Sequence, residues 1–99
     1  MRIAVVGSRR MVRGFALAGV KDLYTAEKVE DARDVLPRLL RDPSIGIVIV
    51  PARFRRDLSA LVRAAEGARD GYPVVIALPE GSGEDESRGE DFERIAGLE

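Results

Sequence analysis

Residues 1–20 read MRIAVVGSRRMVRGFALAGV, and this stretch decides how the rest of the chain is interpreted. Its first part, RIAVV at residues 2–6, is a short apolar run rich in β-branched side chains, which predicts a strand buried on both faces. Ser8 can cap a helix over residues 9–18, and Gly19 suits the left-handed position that follows a helix. The apolar side chains of this helix recur at helical spacing at Met11, Phe15 and Ala18.

The alternation of strand and helix continues through the middle of the chain. DLYTA at residues 22–26 predicts a brief strand. The helix that follows has one apolar face, formed by Val29, Ala32, Leu36, Leu39 and Leu40. Pro37 lies inside that pattern and removes one backbone hydrogen bond, so we expect one kinked helix rather than two. IGIVIV at residues 45–50 is continuously apolar and β-branched, which predicts a central strand.

Residues 51–79 add a third helix and a fourth strand. We expect the helix to begin at Pro51 and to end near Gly67. Its apolar positions keep helical spacing at Phe54, Leu58, Leu61, Val62 and Ala65. PVVIAL at residues 73–78 predicts the fourth strand, which Pro79 closes.

This order of elements predicts an α/β fold. We expect a four-stranded parallel sheet in the order 2-1-3-4 with helices on both faces, similar to Rossmann and receiver domains. The first and third strands are placed in the middle because they are the most apolar. Residues 1–79 are expected to form this core domain. Residues 80–91 hold no apolar side chain, so residues 80–99 are expected to form a flexible acidic linker and a short C-terminal helix.

The composition excludes several kinds of chemistry. The chain has no cysteine and no histidine, which excludes disulfides, thiolate nucleophiles, imidazole bases and imidazole zinc ligands. No apolar run approaches the ~20 residues needed to cross a bilayer, and no signal-peptide core is present, so we expect a soluble cytoplasmic protein. Residues 1–79 hold 14 Lys/Arg and 9 Asp/Glu, whereas residues 80–99 hold 2 and 8. An acidic tail therefore follows a mildly basic body.

The first turn lacks the glycine pattern of a dinucleotide site. In G-x-G-x-x-G the second glycine lets a pyrophosphate approach the backbone, but Arg9 stands at that position. The next glycine, Gly14, is out of register, and no Walker loop occurs in the chain. A small anion- or nucleotide-binding site formed by Gly7, Ser8 and Arg9 at the helix amino terminus stays open as an alternative.

Three other kinds of site are disfavoured by the residues present. A receiver domain needs acidic residues after its first strand and a phosphoacceptor aspartate after its third, where this chain has Gly7 and Ser8, and Val50 and Pro51. The carboxylates of the tail lie in a Gly/Ser-rich stretch, whereas metal binding and acid–base catalysis need rigid, partly buried groups. The arginines of the third helix lack interleaved surface aromatic residues beyond Phe54, so no nucleic-acid binding is expected.

Two groups of residues are candidates for contacts with other molecules. Arg9, Arg10 and Arg13 lie on the first helix, where they are solvated, bind an anion or pair with a partner protein. Apolar residues return in the tail at Phe92, Ile95 and Leu98. A short amphipathic helix of this kind either folds back on its own domain or docks into another protein.

Three stretches of the chain carry a resemblance to a known family. They are residues 1–20, IGIVIV followed by a helix, and YPVVIALPEGSG before an acidic linker and a short tail. Together they make nearly the whole chain similar to the F subunits of archaeal- and vacuolar-type rotary ATPases. The family's GF-x-LAGV segment is matched by Gly14, Phe15, Leu17, Ala18, Gly19 and Val20. Ser8 stands where that family usually has an acid, and Pro51, Ala52 and Arg53 replace its usual threonine-glutamate helix start.

The resemblance implies a non-catalytic subunit of the central stalk that needs no cofactor. Members of that family bind the coiled-coil D subunit to form a rotor axle, transmit torque between the ATP-hydrolysing head and the membrane ion-conducting ring, and modulate hydrolysis. Such a subunit is cytoplasmic, is peripheral to the membrane and does not insert into it. The tail is expected to contact the catalytic-head subunits transiently. Partner contacts are therefore expected at Arg9, Arg10, Met11, Arg13, Phe92, Ile95 and Leu98.

Overall fold

The computed structural model describes residues 1–68 and 73–80 as an α/β domain. Its strands are β1 (Arg2–Gly7), β2 (Asp22–Thr25), β3 (Ile45–Pro51) and β4 (Val74–Leu78). Its helices are α1 (Arg9–Leu17), α2 (Val29–Arg41) and α3 (Arg55–Ala68), with a 3-10 turn at Ala52–Phe54. Neighbouring strands pair in parallel in the order β2-β1-β3-β4. The predicted fold class and strand order are confirmed.

The main core lies between the sheet and the helices α2 and α3. Ala4 and Val6 of β1 and Val48 and Val50 of β3 point to this side, and none of them is more than 2% exposed. Buried residues that pack on them from the α2 and α3 side are Ala32, Leu36, Leu39, Leu40, Phe54 and Leu58. Burying one large aliphatic side chain stabilises a fold by ~1.5–3 kcal/mol, so this layer holds the sheet and helices together.

The opposite face of the sheet is only partly covered. Helix α1 packs on β1 and β2 from this side. The pairing register and the alternation of side chains place the fully buried Val5 there, together with five further apolar residues: Ile3, Ile47, Ile49, Val74 and Ile76. Ile3, Val74 and Ile76 remain 36%, 46% and 38% exposed, which is unusual for large apolar side chains in a sheet. We call these five residues the bare face.

Hydrogen bonds close both ends of α1. The Ser8 hydroxyl accepts from the backbone N–H of Met11 at 3.2 Å, as an N-cap does. At the other end, Gly19 has a φ of 97° and its N–H donates to the carbonyl of Ala16 at 3.0 Å. The following N–H donates to the carbonyl of Phe15 at 3.1 Å, which completes a left-handed helix cap. The predicted capping roles of Ser8 and Gly19 are confirmed.

Helix α2 continues through Pro37. Proline has no N–H, so the helical hydrogen bond to the carbonyl of Arg33 cannot form. The helix persists because one of its faces is packed in the core at Ala32, Leu36, Leu39 and Leu40. The prediction of one helix rather than two is confirmed.

The start of the third helix differs from the prediction. Pro51 does not begin the helix: it is the buried last residue of β3 and pairs with Leu78 of β4. Its φ of −65° suits a helix or a strand, but its ψ of 142° is extended, so the chain continues in the sheet. A 3-10 turn then leads into α3 at Arg55.

The described residues contain no helix that is long and apolar enough to span a bilayer. Strand β4 ends at Leu78, two residues before Glu80. Glu80 is the first residue of the predicted linker, and the rest of the linker and the predicted terminal helix, residues 81–99, lie outside the described residues, so the domain boundary after residue 79 stays a prediction.

Candidate functional site at the carboxyl edge of the sheet

The carboxyl ends of the four parallel strands meet at one edge of the sheet. In open α/β folds, ligands bind outside this edge at the point where the strand order reverses, which here lies between β1 and β3. The residues that follow the strands at this edge are Ser8, Glu27, Arg53 and Glu80. Their contacts show whether the edge can accept a ligand.

Ser8 uses its hydroxyl twice. The oxygen accepts from the N–H of Met11, and the hydroxyl donates to Oε2 of Glu80 at 2.7 Å. This second bond joins residues 72 positions apart in the sequence, so it ties the end of β1 to the end of β4. The one hydroxyl proton of Ser8 is therefore already donated to Glu80, and Ser8 could donate to a phosphate only if that bond broke.

Arg53 holds the other oxygen of the same carboxylate. Its Nε forms an ion pair with Oε1 of Glu80, and its Nη1 donates to the backbone carbonyl of Glu27 at 2.9 Å. The guanidinium lies 4.3 Å from the centre of the Phe54 ring, a cation–π arrangement that restricts its orientation. The Glu80 side chain is 16% exposed, which is low for a carboxylate and shows how far it is drawn into the edge.

A second carboxylate lies at the amino terminus of α1. The backbone N–H of Arg9 donates to Oε1 of Glu27 at 2.7 Å. A negative charge at this position interacts favourably with the helix dipole and satisfies an N–H that the helix leaves open. In nucleotide-binding domains a phosphate occupies this place. Here two carboxylates of the chain itself take the donors that a phosphate would use: Glu27 accepts from the N–H of Arg9, and Glu80 accepts from the Ser8 hydroxyl.

Gly7, predicted as a component of an anion site, has a packing role in this structure. A Cβ at this position would lie 2.5 Å from Sδ of Met11, closer than real side chains approach one another. Met11 is half-buried against this turn. The glycine therefore makes room for a side chain of α1.

The arginines predicted to contact partners are brought together at the surface. Arg9, Arg10 and Arg13 are exposed and line an open depression together with Ser8 and Glu27. We call Arg9, Arg10 and Arg13 the arginine group. Met11, predicted with them, is half-buried and lies against Gly7. The other predicted contact residues, Phe92, Ile95 and Leu98, lie outside the described residues.

Two features common in active sites, a metal-ligand cluster and buried polar side chains, are absent from the described part of the chain. It contains no group of three acidic, histidine or cysteine side chains that could hold a metal ion, and no polar or charged residue within it is buried. A second open groove lies between α3 and β4. Its walls are mainly apolar, with Arg55, Arg63 and Glu66 among the lining residues. A catalytic site needs rigid, desolvated polar groups, and neither depression supplies them.

Sequence reasoning missed the roles of Glu27, Arg53 and Glu80. The sequence pattern places Arg53 on an ordinary helix surface and Glu80 in the linker. In the structure the two form an ion pair at this edge, and Glu80 also accepts from Ser8. A usable signal is present, because each of the three lies two residues beyond the end of a strand. Parallel strands end at the same edge, so charged residues at matching offsets are expected to meet there.

The fold and this edge define a small α/β domain whose phosphate position is filled by its own side chains. A family model described as "ATP synthase (F/14-kDa) subunit" matches residues 3–95, and the chain belongs to this family. The resemblance inferred from residues 1–20 and the strands that follow is therefore confirmed.

Individual relatives agree with this assignment. The chain is 30% identical to the F subunit of the A-type ATP synthase of Methanothermobacter thermautotrophicus, over 98% of this chain and 93% of that protein. It is 31% identical to the corresponding F subunit of Methanococcoides burtonii, over 100% and 97%. The crystal structure of the F subunit of the V-type ATP synthase of Archaeoglobus fulgidus superimposes with a TM-score of 0.53 at 25% identity, covering 78% of this chain and 95% of that one.

Proposed function

We propose that this chain is a non-catalytic central-stalk subunit of an A/V-type ATP synthase. In this role it binds the coiled-coil D subunit, couples ATP turnover to ion transport and modulates hydrolysis. Membership of the F-subunit family and relatives named as subunits of A-type ATP synthases support the proposal. The chain works on the cytoplasmic side, peripheral to the membrane, through the complex that it joins.

The filled carboxyl edge is the observation that carries this proposal. The Glu80 carboxylate accepts a hydrogen bond from the Ser8 hydroxyl and forms an ion pair with Arg53. The Glu27 carboxylate accepts from the backbone N–H of Arg9. A nucleotide phosphate at this edge would have to displace these carboxylates or share the site with them, and like charges a few Å apart repel. ATP chemistry is therefore assigned to other subunits, and this chain contributes binding surfaces.

Two exposed surfaces are available. The bare face offers exposed isoleucine and valine side chains, and the arginine group lies on α1 beside Ser8 and Glu27. A stable protein interface commonly buries about 800 Å² on each partner, with an apolar centre and a polar rim. An apolar surface and a basic one on the same chain suit a coiled coil whose helices expose apolar and acidic side chains.

Co-expression with an affinity-tagged D subunit of the same organism tests the proposal. The chain is expected to co-purify in a 1:1 complex. Ile76→Lys, which places a charge on the bare face, is expected to reduce recovery, whereas Ala60→Lys on the exposed side of α3 is not. Absence of the unmodified chain from the purified D subunit would contradict the proposed function.

The tail is proposed to modulate hydrolysis through transient contacts with catalytic-head subunits. Removing residues 81–99 retains Glu80 and its bonds to the core. We expect this truncation to change the ATPase rate of the assembled enzyme more than it changes assembly. Loss of assembly with an unaltered rate in the remaining complexes would refute this role of the tail.

A second candidate function, binding of a small anion or nucleotide, rests on the depression lined by the arginine group. Three exposed guanidinium groups near a helix amino terminus favour anions. A ligand that binds only the native state raises its melting temperature, so millimolar ATP, coenzyme A and phosphate are the probes to use. An unchanged melting temperature with all three would remove this candidate.

A further inference from the structure

We propose that Ser8, Arg53 and Glu80 form a clasp that anchors the root of the C-terminal tail to the carboxyl edge of the sheet. The proposal concerns the isolated chain and does not depend on the D subunit. Glu80 is then a structural anchor, and the residue type at position 8 decides whether the clasp forms.

The geometry of the clasp joins three separate parts of the fold. Glu80 lies just beyond β4, Ser8 just beyond β1, and Arg53 in the 3-10 turn beyond β3. One carboxylate oxygen of Glu80 accepts from Ser8 at 2.7 Å, and the other pairs with Arg53. Strand β4 is at the edge of the sheet and is paired on one side with β3. The clasp adds a direct tie from its end to β1, which β4 does not touch through strand pairing.

The partners of the clasp are themselves held in place. Ser8 is fixed because its oxygen also caps α1 through the N–H of Met11. Arg53 is fixed by the carbonyl of Glu27 and by the ring of Phe54. Preorganised partners lose less side-chain entropy when they bind a carboxylate, so binding of Glu80 requires little further ordering of Ser8 and Arg53.

Ser8 is the residue type that this arrangement requires. A hydroxyl can cap a helix and donate to a carboxylate at the same time, whereas an ionised carboxylate only accepts hydrogen bonds. An aspartate at position 8 would keep the cap but would face Glu80 with a like charge. Serine therefore permits Glu80 to approach the α1 amino terminus.

The clasp has a consequence for the reach of the tail. Residues 81–99 are 19 residues, which span at most roughly 65 Å when fully extended at ~3.3–3.6 Å per residue. Anchoring Glu80 fixes the point at the sheet edge from which these residues continue. Without the clasp, the end of β4 is free to fray and that point moves.

NMR relaxation of the ¹⁵N-labelled full-length chain tests the proposal. The heteronuclear NOE of the Glu80 amide is expected to be close to that of the sheet in the unmodified chain and clearly lower in Glu80→Gln and in Ser8→Asp. Glu66→Gln, at an exposed carboxylate on α3, serves as the matched control and is expected to leave the value unchanged. A second readout is exchange of the Arg53 Nε–H with water, expected to be at least tenfold slower than that of exposed Arg33.

The double variant Ser8→Asp/Glu80→Gln separates the clasp from a general loss of structure. The carboxylate introduced at position 8 can accept from the amide introduced at position 80 and attract Arg53, so the NOE at position 80 is expected to recover. The proposal is overturned if the Glu80 amide is already mobile in the unmodified chain, if Ser8→Asp leaves it rigid, or if the double variant stays as mobile as the single ones. Co-purification with the D subunit reports separately on the proposed function.

Discussion

At the scale of single residues, the first turn shows how one position can serve several contacts. Ser8 caps α1 and holds Glu80, and Gly7 leaves space for Met11. The capping role of Ser8 could be predicted because it depends on neighbours within three residues. Its bond to Glu80 could not, because that contact joins residues 72 positions apart and depends on the finished sheet.

Gly19 and Gly14 of the α1 region are expected to respond to alanine in opposite directions. Gly19 has a φ of 97°, where a Cβ costs ~1–2 kcal/mol, so Gly19→Ala lowers stability. Gly14 lies inside α1, and a Cβ added there would meet no neighbouring side chain within 4 Å, so Gly14→Ala raises stability by ~0.5–1 kcal/mol. Urea unfolding followed by circular dichroism measures both. A stabilising Gly19→Ala would show that the left-handed cap is not formed.

At the scale of elements, hydrophobic patterning is enough to place the strands and helices but not the join after β3. The apolar runs at residues 2–6 and 45–50 have a period and length typical of buried strands, and both form central strands. Pro51 is ambiguous in the sequence because its fixed φ occurs in helices and in extended chain. Its ψ is set by pairing with Leu78, a contact that the local sequence does not reveal.

Helix α2 carries a destabilising residue that substitution can relieve. Pro37→Ala restores the N–H that bonds to the carbonyl of Arg33, and alanine is ~3 kcal/mol better than proline in a helix interior. Loss of the half-buried ring offsets part of this, so a net gain of ~1–2 kcal/mol is expected. Pro43→Ala, in the exposed loop after α2, is the control and is expected to lose up to ~1 kcal/mol. Thermal unfolding compares the two, and a lower melting temperature for Pro37→Ala would contradict the argument.

At the scale of the whole molecule, the chain combines a closed carboxyl edge with an open α1 side. The edge is filled by its own carboxylates and bordered by the arginine group, whereas the α1 side of the sheet exposes the bare face. Family membership could be predicted from the sequence because the matching segments span nearly the whole chain. The bare face could not, since an isoleucine in a strand looks the same whether a helix covers it or not.

Charge reversal on α1 is expected to weaken binding to the D subunit. Arg10→Glu/Arg13→Glu turns an attractive rim into a repulsive one, and we expect at least a tenfold loss of affinity, about 1.4 kcal/mol. Arg33→Glu/Arg38→Glu on the exposed side of α2 makes the same change of charge elsewhere. Isothermal titration at low salt and at ~0.5 M NaCl measures both pairs, and the difference should shrink at high salt because ions screen exposed charges. Equal effects of the two pairs would exclude the arginine group as a specific contact.

The central claim is that this chain turns with the rotor while other subunits hydrolyse ATP. The chain has no cysteine, so Ala60→Cys on the exposed surface of α3 provides a single attachment point for a gold particle. In the assembled enzyme, fixed to a surface through its catalytic head, the particle is expected to rotate in one direction when ATP is added and to stop when ATP is removed. A particle that stays fixed while the same preparation hydrolyses ATP would contradict the assignment of this chain to the central stalk.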